Sequence, residues 1–278
     1  MNARTTALSA LIAIRRQNAW ADGALKEYTA RDRLDRRDAA LAARLLYGVV
    51  QNRLLLDFYL AQIVSIPLAK LQPVVLDILR LGAYQILFLD KIPVSAAVNE
   101  AVEQAKVYAN RRAAGLVNGV LRALDRKKDA LDQPEDLATA YSHPQPLVDC
   151  LRASFDDKTL KAFLAADNDI PKTALQVNPL KTTPEQVAAA LEEAGIACEP
   201  HPWLPGCFLV SGTGNLEALP LFQSGAVYVQ DPAAKLAVLA SGAAPGMCVL
   251  DCCAAPGGKS FAAAMQMANT GDILSCDL

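Results

Sequence analysis

The sequence lacks the features that would place it in a membrane or in an oxidising compartment. No apolar run reaches the roughly 18 to 20 residues that a membrane-spanning helix needs. Residues 7–14 are apolar, but Arg15 and Arg16 follow them directly without a small-residue cleavage site, so they predict an amphipathic helix rather than a signal peptide. The seven cysteines form no C-x-x-C pair and none occurs before residue 150, which argues against a disulfide framework or a zinc cluster. We therefore expect a cytoplasmic protein with reduced thiols, no metal and no membrane contact.

Negative charge is scarce in the first part of the chain, and positive charge is scarce in the second. Residues 1–130 carry twenty Lys and Arg against twelve Asp and Glu, a net charge of +8. Residues 131–278 carry seven against seventeen, a net charge of −10, and the two parts together give the −2 of the whole chain. Such a division favours a basic module that binds a polyanion such as nucleic acid, although Arg-rich helix surfaces also occur in proteins that bind none.

What the chain has in plenty is apolar residues, 53% of its 278 positions, which is enough for two or three folded domains. Residues 1–130 predict a compact helical bundle with a basic surface. An apolar stripe at helical spacing runs through residues 71–89. A second long helical pattern covers residues 35–63, with Asp35 or Asp38 as its N-cap.

A second domain is predicted for residues 131–225. It begins with a linker rich in proline and acidic residues (131–146), followed by a helix around residues 147–166 and a strand at 173–178. Thr183 and Pro184 are typical of a helix start. Proline and glycine turns interrupt the strand-like residues 197–212. These elements indicate a small α/β unit.

Residues 226–278 predict the beginning of a third domain, built on a doubly wound parallel sheet. After a strand at residues 226–230 and a helix, the apolar residues 248–254 have the pattern of a buried parallel strand. Gly257 and Gly258 then open a helix that extends to Met267. Gly271 turns the chain into a further strand, which we expect to end at Asp277.

The turn VLDCCAAPGGKS at residues 249–260 is compatible with three ligands, because a glycine-rich turn before a helix presents backbone N–H groups to an anion. A P-loop for nucleotides requires glycine where this chain has Cys253. A dinucleotide fingerprint requires G-x-G-x-x-G, which the turn lacks, although Asp277 has the spacing of a ribose-binding acid. S-adenosylmethionine has the ribose without the pyrophosphate and fits best, with Asp277 at the ribose and the turn at the methionine end.

Other reactive or aromatic side chains are predicted to be structural. Adjacent Cys252 and Cys253 point to opposite faces of a strand, which disfavours a shared metal, and packing in the core is the ordinary state of cysteine. His143 stands beside a proline without an evident acid partner. Trp20 and Trp203 have the chemistry to stack on RNA bases, but packing in the core or in turns is the simpler expectation.

Several stretches resemble known families. LDCCAAPGGKS, with Asp277 beyond it, resembles the cofactor loop of the RNA cytosine-C5 methyltransferases, and VQDPAA (229–234) resembles the helix entry before that loop. RLGAYQILFLDKIPVSAAVNEAVEQAK and LVNGVLR resemble the transcription antitermination factor NusB, an all-helical RNA binder. YSHP (141–144) and LQVNPLKTTPEQV resemble the segment that joins such a module to a catalytic domain. Together they resemble the N-terminal part of bacterial 16S ribosomal RNA cytosine-C5 methyltransferases with a NusB-like domain.

This resemblance implies a fold, a cofactor and a partner. The fold is multidomain: an all-α NusB-like RNA-binding bundle over residues 1–130, a small α/β linker domain over residues 131–225, and the truncated start of a Rossmann-like class I methyltransferase α/β domain over residues 226–278. The partner is 16S ribosomal RNA, and the protein is expected to be a monomer. The cofactor is S-adenosyl-L-methionine, bound by Cys253, Ala254, Ala255, Pro256, Gly257, Gly258, Lys259 and Asp277.

The chain departs from the family pattern at two places that are candidate RNA-side positions. Gln145 and Pro146 stand where the family usually has an aromatic residue, and Gln176 stands where it usually has arginine. The family's nucleophile is a cysteine that adds to C6 of the base. No cysteine of this chain matches its position, so we assign no catalytic residue and expect the nucleophile beyond Leu278.

On this interpretation the 278-residue chain is an N-terminal part that does not methylate RNA by itself. The alternative is a non-catalytic NusB-like RNA-binding or assembly module with a vestigial cofactor site. In either case phosphate contacts by arginine would bind RNA without sequence specificity. The candidates for these contacts are Arg31, Arg33, Arg36, Arg37 and Arg53.

Overall fold

A computed structural model describes residues 2–211 and 216–278 and divides the chain into two compact units, Met1–Asp169 and Ile170–Leu278. Gly212, at the end of one predicted strand, lies outside the described residues. The three-domain division at residues 130 and 225 stays a prediction. Within the described ranges, no helix has the length and apolar character to span a membrane. The same ranges contain no group of three or more acidic, histidine or cysteine side chains arranged for a metal ion.

The first unit is built from helices, as the sequence predicts. The apolar stripe lies in α5, where Val75, Ile78 and Leu79 are almost fully buried and face the other long helices. Gly82 permits the close approach of α7 to α5, because a Cβ atom there would stand 2.4 Å from Leu121 Cδ1. The helices of the unit are α1 (Ala3–Gln17), α2 (Ala21–Asp32), α3 (Arg36–Gln51), α4 (Arg53–Ala61), α5 (Pro73–Phe88), α6 (Val94–Tyr108), α7 (Arg111–Lys127), α8 (Leu137–Ala140), α9 (Gln145–Arg152) and α10 (Asp157–Asp167).

The long helix predicted from residue 35 onward is in fact two helices. Asp35 caps α3 by accepting a hydrogen bond from the Asp38 N–H (2.8 Å). The helix ends at Asn52, whose ψ of 22° leaves the helical range and whose side chain donates to the Gly48 carbonyl (2.9 Å). At the start of α4, the Leu54 N–H donates to Ser142 Oγ (2.8 Å). The hydroxyl of Ser142, 88 residues away in the sequence, therefore replaces a local N-cap.

The residues that follow the bundle also differ from their prediction. The expected single helix over residues 147–166 is interrupted between α9 and α10, because Asp156 caps a new helix by accepting from the Thr159 N–H (2.7 Å). Polar contacts attach this segment to the bundle: Gln51 Nε2 donates to the Asn168 carbonyl (2.7 Å). The first unit consequently extends through the predicted linker. The segment has its own small apolar core of Ala138, Val148, Leu160 and Leu164.

The second unit begins with an antiparallel sheet in the order β2-β3-β1-β4. Its elements follow the β-α-β-β-α-β sequence of ferredoxin-like domains. The predicted helix start is confirmed: the Thr183 side chain accepts from the Gln186 N–H and Pro184 lies in the first turn. In chain order the elements are β1 (Thr173–Val177), α11 (Pro184–Glu193), β2 (Ala197–Pro200), β3 (Cys207–Ser211), α12 (Pro220–Gln223) and β4 (Val227–Val229).

The rest of the second unit has the predicted order of helix, strand, helix and strand. After α13 (Pro232–Ser241), the strands β5 (Cys248–Asp251) and β6 (Asp272–Ser275) pair in parallel, with α14 (Gly258–Gln266) in their connection. Helix α13 packs on α14 through an apolar cluster that includes Val238, Ala262 and Met267. Strand β5 is less buried than predicted, and Leu250 is 60% exposed, because β6 is its only partner within the described residues.

Candidate cofactor site at the glycine turn

The predicted cofactor residues come together at one end of the parallel strand pair. The turn follows β5, and Asp277 follows β6, so both segments leave the same edge of the sheet. Backbone hydrogen bonds join the two segments. The Cys276 N–H donates to the Asp251 carbonyl (2.8 Å), and the Ala254 N–H donates to the Cys276 carbonyl (3.1 Å).

Asp277 closes the turn from the side of β6. Its Oδ2 accepts from the Ala255 N–H (2.8 Å), and its Oδ1 accepts from the Leu278 N–H (2.9 Å). The strand ends at Ser275, so Asp277 lies two residues past the strand and not at its end as predicted. The side chain is exposed, and a carboxylate has about four lone-pair positions, so further hydrogen bonds to a ligand hydroxyl are available.

Asp251, which the sequence analysis did not single out, fixes the base of the turn. Its Oδ2 accepts from Ser260 Oγ (2.7 Å), and its Oδ1 accepts from the Cys253 N–H (3.2 Å). The Ser260 hydrogen bond, followed by the Cys253 N–H and the charge of Lys259, lowers the pKa of Asp251 below its ordinary value. Ser260 Oγ also lies 2.8 Å from Ser275 Oγ. The ionised carboxylate thus connects β5, the turn and α14.

The glycine pair gives the turn its shape and its polarity. Gly257 has a φ of +106°, a backbone conformation that side chains disfavour, and a Cβ atom there would stand 2.9 Å from the Phe261 ring. Gly258 begins α14, so the positive end of the helix dipole faces the turn. Lys259 is exposed in the same helical turn and adds a full positive charge. The turn therefore suits a ligand with a negative group.

The prediction that Cys252 and Cys253 pack in the interior is wrong. Both thiols are exposed, because β5 ends at Asp251 and the two residues belong to the turn, where strand alternation does not apply. Trp20 is 88% exposed and does not pack as predicted. Trp203 is 57% exposed, but its ring packs edge-to-face on the His201 ring (centroids 4.3 Å apart) in a turn, as predicted.

Two polar side chains expected in loops or at the RNA are buried instead. His143 has an acid partner that the sequence did not reveal: its Nε2 lies 2.9 Å from Asp167 Oδ2, and its Nδ1 lies 2.8 Å from the Tyr141 carbonyl. This histidine is structural, as predicted. Gln176, a candidate RNA-side position, is 1% exposed, and its side chain donates to the backbone carbonyl of Gln230 (3.2 Å). It is therefore not available to RNA.

Gln230 is a second residue at this site to which the sequence alone assigned no role, although it lies within the stretch VQDPAA. Its side chain is 5% exposed, and Nε2 lies 3.5 Å from the point where a Cβ atom on Gly258 would stand. Neither Nε2 nor Oε1 has a hydrogen-bond partner among the described residues. Glutamine is ordinarily exposed, so residue type gives no sign that this side chain is buried, and the resemblance of VQDPAA to the family was the one local signal.

The candidate RNA-binding arginines fall into two groups. Four of them, Arg31, Arg33, Arg36 and Arg37, lie at the end of α2, the connection and the start of α3. All four are exposed, although Arg31 pairs with Asp32 (2.8 Å) and lies over the Tyr28 ring (4.3 Å). Cations at a helix start oppose the helix dipole, so the placement of Arg36 and Arg37 in the first turn of α3 is not explained by helix stability.

Arg53 is separated from the other four by the whole of α3. That helix has 16 residues, which corresponds to about 24 Å at 1.5 Å per residue. Arg53 lies on a cavity of about 580 Å³ that Arg15 and Arg80 also line. Asp77 in this cavity pairs with Arg15 (2.9 Å) and Arg80 (3.4 Å). The five arginines therefore do not form one contiguous patch along α3.

Two models of known families match segments of this chain. The model of the NusB family matches residues 1–126. A model described as a ferredoxin-like domain of the RsmF/B-like methyltransferases matches residues 143–217. The crystal structure of PH0851 shares the fold, with a TM-score of 0.70 and 22% sequence identity over 97% of this chain and 62% of that chain.

Sequence relatives extend the similarity over nearly the whole chain. The chain is 34% identical over 281 residues to a Bacillus subtilis protein named "Probable ribosomal RNA small subunit methyltransferase B". This alignment covers 99% of this chain and 62% of the relative. It is also 34% identical to the Vibrio cholerae ribosomal RNA small subunit methyltransferase B, over 94% of this chain and 59% of the relative. The chain thus spans about three fifths of the length of these relatives. Residues 1–126 therefore match the NusB family, residues 143–217 match the ferredoxin-like domain of RsmF/B-like methyltransferases, and nearly the whole chain is similar to proteins named ribosomal RNA small subunit methyltransferase B.

Proposed function

We propose that this chain provides the RNA-binding and cofactor-binding parts of a methyltransferase that modifies cytosine C5 in 16S ribosomal RNA. The observation that carries the proposal is the hydrogen bond between Asp277 and the Ala255 N–H, which holds an exposed acid against a glycine turn. The names of the relatives support ribosomal RNA as the substrate class. In this proposal β5, α14 and β6 are the first strand–helix–strand unit of a Rossmann-like class I methyltransferase domain.

The residues of the turn fit S-adenosylmethionine better than a nucleotide phosphate. Asp277 offers exposed oxygen atoms to a ribose diol. The start of α14 and Lys259 suit a carboxylate, which the methionine end of the cofactor provides. A P-loop would need a glycine in place of Cys253 and three or more backbone N–H groups around a phosphate, whereas the Ala255 N–H is already bound to Asp277. The bound cofactor would supply an electrophilic methyl group.

The residues of this chain bind and orient the reactants; no step of bond formation is assigned to them. Cys253, Ala254, Ala255, Pro256, Gly257, Gly258 and Lys259 would surround the methionine end, and Asp277 would hold the ribose. The family resemblance requires a cysteine that adds to C6 of the cytosine, and none of the seven cysteines matches it. We therefore expect the 278 residues alone to bind the cofactor without methylating RNA.

The proposal is tested by binding of S-adenosylhomocysteine to the 278-residue chain, measured by isothermal titration calorimetry. Asp277→Asn should weaken binding about tenfold or more, because hydrogen bonds to a charged acceptor contribute about 1.5–3 kcal/mol each. Asp272→Asn is the matched control, since Asp272 is an exposed acid at the other end of β6 and should leave affinity unchanged. Absence of binding by the unmodified chain would refute the cofactor site and favour a non-catalytic RNA-binding module.

A further inference from the structure

A buried amide without partners lies directly against the glycine turn. Gln230 follows β4, and both polar atoms of its side chain are excluded from solvent and unpaired within the described part of the chain. Its Nε2 stands 3.5 Å from the position that a Cβ atom of Gly258 would occupy. Gly258 is the first residue of α14, so the amide faces the positive end of that helix. Two independent features, the helix start and the unpaired amide, therefore meet at one place.

An unpaired buried amide destabilises a folded protein, because it gives up hydrogen bonds to water and gains none in return. Gln176, its neighbour, shows the ordinary outcome. The Gln176 Nε2 donates to the backbone carbonyl of Gln230 (3.2 Å) and to Cys207 Sγ (3.4 Å). An apolar side chain at position 230 would avoid this loss of stability. A polar side chain kept at a cost to stability is characteristic of a binding site.

We propose that Gln230 binds the α-amino-acid end of S-adenosylmethionine, an inference that rests on the proposed function. That end of the cofactor carries a carboxylate, which accepts hydrogen bonds, and an ammonium group, which donates them. A side-chain amide does both, so Nε2 pairs with the carboxylate and Oε1 with the ammonium group. The dipole of α14 and the charge of Lys259 favour the carboxylate at the same place.

Gly258 lies against this amide, and its lack of a side chain leaves the Nε2 atom uncovered on that side. A methyl group at position 258 would stand in ordinary van der Waals contact with Nε2. The φ of Gly258 is not in the left-handed range, so alanine is compatible with the fold.

The experiment compares Gln230→Met with the unmodified 278-residue chain by two measurements, the melting temperature without ligand and the affinity for S-adenosylhomocysteine by calorimetry. Methionine has nearly the shape of glutamine and no strong polar groups. We expect a melting temperature that is unchanged or higher, and an affinity that is about tenfold lower or weaker still. Gly258→Ala should likewise fold normally and bind at least about tenfold more weakly, because its methyl group covers the amide.

Gln104→Met is the matched control. Gln104 lies in α6, is 6% exposed and also has an unpaired Nε2 within the described residues. Its replacement should change the melting temperature in the same direction without changing affinity. If Gln230→Met binds as tightly as the unmodified chain, the inference is wrong while the cofactor site stands. If Gln230→Met fails to fold, equal affinity of Gly258→Ala and the unmodified chain would overturn the inference. If the unmodified chain binds no S-adenosylhomocysteine, the proposed function and the inference both fail.

Discussion

At the scale of single residues, the cysteines differ strongly in their exposure to solvent. Cys252 and Cys253 are exposed in the turn, whereas Cys207 is 1% exposed in β3. Burial raises the pKa of the Cys207 thiol, and the hydrogen bond from Gln176 offsets this only in part. A higher pKa means less thiolate at any pH near neutrality, and the thiolate is the reactive form.

We predict that iodoacetamide at pH 8 modifies Cys252 and Cys253 at least about tenfold faster than Cys207 in the folded chain. Peptide mass spectrometry over a time course measures each site separately. In denaturing urea the three rates should converge, which serves as the control for peptide-specific detection. Equal rates in the folded state would show that Cys207 is not protected by β3 and its neighbours.

Residue-scale predictions from sequence rested on the average behaviour of each residue type, and this is where they failed. Cysteine is usually buried, yet Cys252 is exposed; tryptophan usually packs, yet Trp20 is exposed. Glutamine is usually exposed, yet Gln176 and Gln230 are buried. Such exceptions depend on which segments meet in three dimensions. A site residue such as Gln230 becomes visible only through its unpaired atoms beside Gly258.

For whole elements, local signals were reliable where the capping residue is adjacent in sequence. Thr183 with Pro184 and Asp35 mark real helix starts, because the side chains of Thr183 and Asp35 each accept a hydrogen bond from the N–H three residues ahead. The break between α3 and α4 was not predicted, since the group that caps α4 is Ser142, far along the chain. Similarly, the strand order β2-β3-β1-β4 depends on pairings between distant segments.

The cap of α4 gives a prediction at this scale. Ser142→Ala removes the acceptor for the Leu54 N–H and should lower the free energy of unfolding by about 0.5–2 kcal/mol, as loss of an N-cap does. Urea denaturation followed by circular dichroism measures the change. Ser154→Ala is the control, because Ser154 is exposed in the loop after α9 and its replacement should cost little. A cost for Ser142→Ala no greater than for Ser154→Ala would show that this cap does not stabilise α4.

At the scale of the whole molecule, charge and fold divide the chain at different places. The excess of positive charge ends near residue 130, whereas the first compact unit continues to Asp169 and includes the acidic segment after the bundle. The proposed RNA binding by the NusB-like part would therefore depend on local groups of arginine, not on the net charge of the unit. The cluster of Arg31, Arg33, Arg36 and Arg37 is the strongest local group among the proposed contacts.

This dependence can be tested with a matched pair of charge reversals in the first unit. Arg36→Glu with Arg37→Glu changes two exposed residues of α3, and Lys158→Glu with Lys161→Glu makes the same charge change on exposed positions of α10. We expect the first pair to weaken binding of a 16S ribosomal RNA fragment about tenfold or more and to reduce the slope of log affinity against log salt by about 2, one for each lost phosphate contact. The second pair should change the affinity and the salt slope much less. Fluorescence anisotropy across a salt series measures affinity and slope together. Equal effects of the two pairs would mean that net charge alone drives binding and that the start of α3 is not an RNA-binding surface.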